Sequence, residues 1–196
     1  MQQQQPAVGY QRPSPKVELY GGAIVAELPE SFADASEFRQ VPDHQEVWVD
    51  TASDASFIVE ILERKADVQD VDAVRYFLTD LAAANQAKDP QILASRAGTL
   101  GQDLPHFSQG EVIALVGVGE QQVSKFGESC ANTVQVHICV LRLPAQETDI
   151  LVMLNSPVSI DAQSSSGSVP TLDNAEGVFA KILQSLAIQD WELFNA

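Results

Sequence analysis

Thr133-Val134-Gln135-Val136-His137-Ile138-Cys139-Val140-Leu141-Arg142-Leu143 runs through a short polar connection, residues 144–148, into Asp149-Ile150-Leu151-Val152-Met153-Leu154-Asn155. Both runs are rich in β-branched and apolar residues, the composition that suits a pleated, packed surface. With residues 112–118 before them they predict an antiparallel meander. Near the other end of the chain, residues 17–19 and 23–28 read as two short strands around Gly21-Gly22, where glycine accepts the positive φ of a tight hairpin. Tyr20-Gly21-Gly22 is therefore a turn signal and not a phosphate loop, because no strand, lysine and helix follow in the required order.

Residues 29–43 read as irregular, with Asp34 and Ser36 available to cap short helical turns, and residues 45–49 alternate as a strand does. Ser53, Asp54 or Ser56 offers an N-cap to a helix carrying Phe57, Ile58, Ile61 and Leu62 on one face. At ~100° per residue, Glu60 and Glu63 then project from the opposite face, side by side in water. A second helix is expected over residues 70–87, where Val71, Val74, Phe77 or Leu78, and Leu81 recur at helical spacing, ending before Asp89-Pro90. A last amphipathic helix is expected over 175–186, after a flexible loop at Ser164-Ser165-Ser166-Gly167-Ser168. Strands and helices that do not alternate regularly argue for an α+β fold, a central antiparallel sheet flanked by helices, and against a doubly wound nucleotide-binding fold.

The chain has 196 residues and is 45% hydrophobic, enough for one domain that buries about 70% of its unfolded surface. Residues 1–15, with Gln2 to Gln5 and three prolines, lack apolar periodicity and read as a disordered tail; residues 16–196 read as a single domain. Cys130 and Cys139 lack CxxC spacing, so zinc has no support and a reducing compartment is the simpler reading. No apolar run approaches the roughly 18 residues of a membrane span. The N-terminus lacks the regions of a signal peptide, so the mature chain is expected to begin where the sequence does.

Twenty-seven acidic against 11 basic residues give a formal net charge of -16 and a pI near 4.3. Nucleic acid and anionic lipid are poor partners for such a field, whereas encounter with a basic protein is accelerated by roughly 10 to 10³-fold at low salt. Solubility alone is the plainer account of the same charge.

Little in the sequence points to catalysis. Gly117-Val118-Gly119 has Gln122 where a dinucleotide fingerprint needs its third glycine, and reads as an ordinary flexible strand end. His44, His106 and His137 lie in different segments, and no G-x-S-x-G elbow presents a serine. His137, inside an apolar run, reads as packed or hydrogen bonded, Cys139 as a small core residue and Cys130 as a free thiol in a polar loop. Glu60 and Glu63 serve as an acid/base couple only if burial raises one pKa, which an exposed pair does not provide. Glu60 with Arg64, four residues on, makes a surface ion pair worth ~0.2–0.5 kcal/mol, so a solvated helix face explains the pattern by itself.

Three blocks in order, Leu19-Tyr20-Gly21-Gly22-Ala23, Arg39-Gln40-Val41-Pro42-Asp43-His44-Gln45-Glu46-Val47 and Ser56-Phe57-Ile58-Val59-Glu60-Ile61-Leu62-Glu63, resemble the Ran guanine nucleotide release factors of the Mog1/PsbP-like fold. Val74-Arg75-Tyr76-Phe77 with Asp80-Leu81, Leu141-Arg142-Leu143-Pro144 with Thr148-Asp149, and Asp190-Trp191-Glu192-Leu193-Phe194 extend the resemblance over nearly the whole domain. It implies a protein that binds the GTPase Ran, alone or with a second Ran-binding protein, in the nucleus and also the cytoplasm. It implies neither catalysis nor a cofactor. Two acidic positions used by the family to engage Ran fall on Glu60 and Glu63; Asp43 and Glu46 match further motif positions, although Pro42-Asp43 also suits a plain turn. A protein that prefers the nucleotide-free GTPase must, by linkage, weaken nucleotide binding by the same factor. The competing readings are an adaptor or assembly module of the PsbP-like fold without exchange activity, and a carboxylate hydrolase.

Overall fold

In chain order, the computed structural model, which describes residues 14–125 and 127–195, has strands β1 (Lys16–Leu19), β2 (Ile24–Glu27), β3 (Phe32–Asp34), β4 (Gln45–Asp50) and β5 (Ser56–Glu63). Helix α1 (Ala73–Ala84), strands β6 (Lys88–Ala97), β7 (Ile113–Val123), β8 (Asn132–Leu143) and β9 (Thr148–Ser159), helix α2 (Ala175–Ser185) and β10 (Ala187–Ile188) follow. Seven strands form an antiparallel sheet in the order β3-β4-β5-β9-β8-β7-β6, and β1, β2 and β10 form a second antiparallel sheet. The tail reading of residues 1–15 falls almost wholly on residues 1–13, outside the described residues.

Alternation along the long strands sorts side chains into two cores. Phe57, Val59, Leu141, Val152 and Leu154 face the small sheet and α2, meeting Leu19, Ile24, Phe179 and Leu183. Val136, Ile138, Val140, Leu151 and Met153 face α1, meeting Val74, Phe77 and Leu78. The expected meander, hairpin and two later helices are all present, and the antiparallel sheet lies between helical layers.

Four expectations change. Residues 56–63 are a strand and not a helix. β5 lies inside the sheet, paired along its whole length to β9 on one side and over residues 56–60 to β4 on the other. Its Phe, Ile and Val residues suit that position, and backbone pairing on both edges outweighs the helical spacing of 57, 58, 61 and 62. Residues 88–97 add an unforeseen strand, an edge strand whose Pro90 and two register irregularities disguise it. Gly117 and Gly119 lie inside β7 rather than at a flexible end. A Cβ on Gly117 would collide with Val74, and one on Gly119 would stand 3.0 Å from Leu78 Cδ1, so the bare backbone is what lets α1 pack closely on β7. The serine-rich loop is hydrogen bonded into the structure. Ser164 and Ser166 are buried, Asn132 Nδ2 donates to Ser164 Oγ at 3.2 Å, Ser165 N donates to Glu128 Oε1 at 2.9 Å, and Lys125 Nζ bonds both Ser166 and Asp54. The Glu128 carboxyl is held down at about 2 by the serine donors around it.

Candidate partner-binding site

The first two family-like blocks converge at one end of β4 and β5. The 3-10 turn Tyr20–Gly22 has Tyr20 at φ 51 and Gly21 at φ 66, a left-handed backbone that glycine adopts without cost and tyrosine does not. Tyr20 is fixed there from several directions. Its N–H donates to Glu46 Oε1 at 2.6 Å, and its hydroxyl lies 2.9 Å from the Val59 carbonyl oxygen and 3.0 Å from that of His44. Burial raises the Tyr20 pKa, and the Glu46 and Glu60 carboxylates add to the rise. Burial also raises the pKa of Glu46, the Tyr20 N–H opposes it, and Asp34 adds a smaller push upward. The first block is thus more than a turn: it braces the β4–β5 pair.

Pro42 and Asp43 do form a turn, closed by Gln45 N–H donating to the Pro42 carbonyl at 2.9 Å. Asp43 itself is exposed. Gln45 stands opposite Glu60 in the β4–β5 register, and its Nε2 donates to Glu60 Oε1 at 3.0 Å. His44 Nε2 lies 3.4 Å from the same oxygen, and the Glu60 side chain retains 17% of its exposure.

The strand changes the geometry expected of the two carboxylates. Residues three apart on a helix share a face, whereas on a strand they point to opposite faces and stand about 10 Å apart along the chain. Glu60 shares the face of Ile58 and Leu62, which pack toward the α1 core; Glu63 shares the alternation of Phe57, Val59 and Ile61 and is exposed at the strand end. The expected Glu60 to Arg64 pair is absent from the described ion pairs. Arg64 instead stands 3.8 Å from Asp70, and Glu60 is held by Gln45 and His44.

Immediately beside this end lies a group that sequence reasoning did not assign. Arg142 is fully buried, and its Nε donates to Asp149 Oδ1 at 3.1 Å. Its other nitrogens reach Asp70 Oδ1 at 2.7 Å, the Val68 carbonyl at 2.7 Å and the Lys65 carbonyl at 2.5 Å. Asp149, also fully buried, accepts the Lys65 N–H at 3.0 Å through its second oxygen. All three guanidinium nitrogens are engaged, through four bonds, so this charge pair pins residues 65–70, the segment that leaves β5, onto the sheet. The signal available in sequence was a lone arginine inside an apolar run, followed seven residues later by an aspartate opening the next one.

Among the described residues no group of three or more His, Cys, Asp or Glu is placed to hold a metal ion, and no helix is long and apolar enough to cross a membrane. The carboxylates at the β4–β5 end can accept hydrogen bonds from a cationic surface. Glu60 is partly committed within the chain and Glu63 is open.

A sheet of this order, covered by α1 on one face and by α2 with a small sheet on the other, defines a recognisable class. The solved structure of the Saccharomyces cerevisiae Ran-binding protein Mog1p superposes with a TM-score of 0.68 at 24% identity, covering 92% of this chain and 98% of that one. The family described as Ran-interacting Mog1 protein matches residues 17–157, and the chain belongs to that family. A Ran guanine nucleotide release factor from Danio rerio is 40% identical over 179 residues, 90% of this chain and 98% of the relative. The nuclear import protein mog1 of Schizosaccharomyces pombe is 30% identical over 190 residues, 91% and 99% of the two chains.

Proposed function

We propose that this chain binds the GTPase Ran and promotes release of its guanine nucleotide, in support of protein transport between cytoplasm and nucleus, and that it resides in the nucleus and also the cytoplasm. The observation that carries the reading is its membership of the Mog1 family across the segment that builds both the sheet and the β4–β5 end. Residues 16–196 act as one binding unit, alone or with a second Ran-binding protein. The chain works by binding and not by breaking a covalent bond: it holds the emptied GTPase more tightly than the loaded one, and linkage makes nucleotide leave. A GTPase cradles its phosphates with lysine, backbone N–H groups and Mg²⁺, so carboxylates brought to that basic rim favour the emptied state.

Glu63 and Glu60 are the partner-facing carboxylates in this reading, Glu63 reaching out from the strand end and Glu60 presented beside His44 and Gln45. Asp43, on the exposed turn, extends the same acidic rim. Glu46 matches a motif position too, and its bond to Tyr20 suits it to support the rim from behind. The test is release of a fluorescent guanine nucleotide from Ran, comparing the parent with Glu63→Lys and with Glu60→Gln, a variant that preserves shape. Slower release by both, with unchanged melting, is expected. Parental release rates in the double variant would remove these residues from the site, and a parent that binds Ran without altering release would make the chain an adaptor.

A further inference from the structure

Helix α1 carries a face that the fold does not use. In the family-like block Val74-Arg75-Tyr76-Phe77 with Asp80, Val74 and Phe77 are buried in the core, whereas Arg75 and Asp80 are exposed and Tyr76 is half-buried. Along that outer face runs an open groove of about 700 Å³. It is lined by Asp67 and Val68, from the segment that leaves β5, and by Asp72, Tyr76, Thr79 and Asp80, which share one side of the helix and its N-cap. Its surface is mainly apolar. A small ligand needs most of its own surface enclosed, which a trough this open does not do, whereas a segment of another protein fits it.

The side chains along the groove are held in place yet unpaired. Among the described residues, Asp67, Asp72 and Asp80 make no ion pair and no side-chain hydrogen bond. Asp72 stands at the N-cap of α1 without bonding its N–H groups, so even the usual local role of an aspartate there is unfilled. Arg75 is the one cation of the lining, and three aspartates against it leave the groove acidic. The Tyr76 ring, set edge-on to Phe77 at 5.1 Å, offers an apolar face with a polar tip, the kind of surface that anchors protein contacts. Val71, next to Asp72 in the chain, is 75% exposed. Arg142 fixes the other wall through the Lys65 and Val68 carbonyls and Asp70, so the groove is formed before any partner arrives. Asp67 follows Glu63 by four residues, no more than about 14 Å of chain, which makes the groove continuous with the open carboxylates of the β4–β5 end.

We propose that this groove is a second docking surface for Ran, occupied by a basic segment of the GTPase that lays an apolar side chain on Tyr76 and Val68 and presents cations to the three aspartates. Asp72 and Asp80 stand about 12 Å apart along the helix, so no single cation serves both and the segment carries at least two. Complementary charge and continuity with Glu63 select this occupant. Resting on the Ran reading above, the groove adds to it a contact surface on a different element, one that works through burial as well as charge.

The test measures association and dissociation rates of nucleotide-free Ran with the full chain. One variant combines Asp67→Asn, Asp72→Asn and Asp80→Asn; another, Thr79→Trp, fills the groove from an exposed helix position without changing charge. A control combines Asp173→Asn, Glu176→Gln and Glu192→Gln, three exposed acids on the α2 side of the sheet. Glu63→Lys reports on the β4–β5 end in the same assay. Both groove variants should release Ran about tenfold faster with parental melting, while the control keeps the parental dissociation rate and loses only association rate. Parental dissociation from both groove variants, with binding by Glu63→Lys weakened, overturns the groove and leaves the Ran reading standing. A control that dissociates as fast as the groove triple also overturns it, because net charge then accounts for the effect. Failure of the parent to bind Ran overturns the Ran reading and the groove with it.

Discussion

Two carboxylate-bearing ends of neighbouring strands stand side by side here and are used in opposite ways. On β9, Asp149 is fully buried, locked to Arg142 and to the Lys65 N–H; on β5, Glu63, paired with Thr148 only one register step away, is in solvent. The buried member holds the chain together, and a charge so enclosed has nothing left for a partner. The exposed member contributes almost nothing to folding and is free to act on another molecule. Glu60 and Glu46 fall between these limits: each gives one oxygen to an internal donor while remaining partly open. The contrast explains how a protein with a net charge of -16 can spend some acids on architecture without losing its external field.

The contrast breaks most visibly at Arg142. Arg142→Met leaves Asp149 as an unpaired buried charge and releases the Lys65 and Val68 carbonyls, and should cost about 3–5 kcal/mol in urea denaturation. Adding Asp149→Leu should recover part of that loss; a single variant within about 1 kcal/mol of the parent would show that the pair does not anchor the loop. Tyr20→Phe removes one hydroxyl from between two carbonyls, for an expected cost of about 1 kcal/mol, read from the same unfolding curves.

Glu46 sharpens the comparison through pH. A carboxyl whose pKa is raised on folding holds its proton more tightly in the folded chain, so its stabilising contribution is complete below the unfolded value and is lost as pH rises through the folded one. Starting from the ordinary 4.5, the parent should therefore lose stability relative to Glu46→Gln as pH climbs above that value. Unfolding curves at pH 4 and pH 7 measure the difference, and a gap between the two proteins that does not change with pH would remove Glu46 from this role. The smallest effect on stability belongs to Glu63→Lys, expected within about 0.5 kcal/mol of the parent while release of nucleotide from Ran slows.

Much of the fold is legible in the residues because β7, β8 and β9 are long, β-branched and separated by plain polar turns, and because α1 and α2 keep a helical period. β5 is not legible in the same way. Packed on both faces, it loses the in-and-out alternation that marks a strand, and Phe57, Ile58, Ile61 and Leu62 imitate a helix stripe. That error altered the geometry of Glu60 and Glu63 but left their residue types and their place in the family motif untouched. Tyr20 was readable as part of a turn, whereas its contacts to His44, Glu46 and Val59 depend on pairings 24 to 39 residues away that no local pattern contains. His137 gave a histidine in an apolar run; its neighbour across the layer, the Phe179 ring at 5.9 Å, comes into place only once α2 is laid across the sheet.

The edge strand β6 has a consequence for how these molecules behave in each other's company. A sheet that ends in ten residues of free backbone is a template on which another chain can stack. Here that edge carries Pro90, which has no N–H to give, two breaks in register and a succession of exposed side chains including Lys88, Asp89 and Arg96, while the opposite edge, β3, is only three residues long. Neither rim offers a flat, continuous ladder. The irregularity that hides β6 in the sequence is thus a guard against edge-to-edge, fibre-like growth of the sheet.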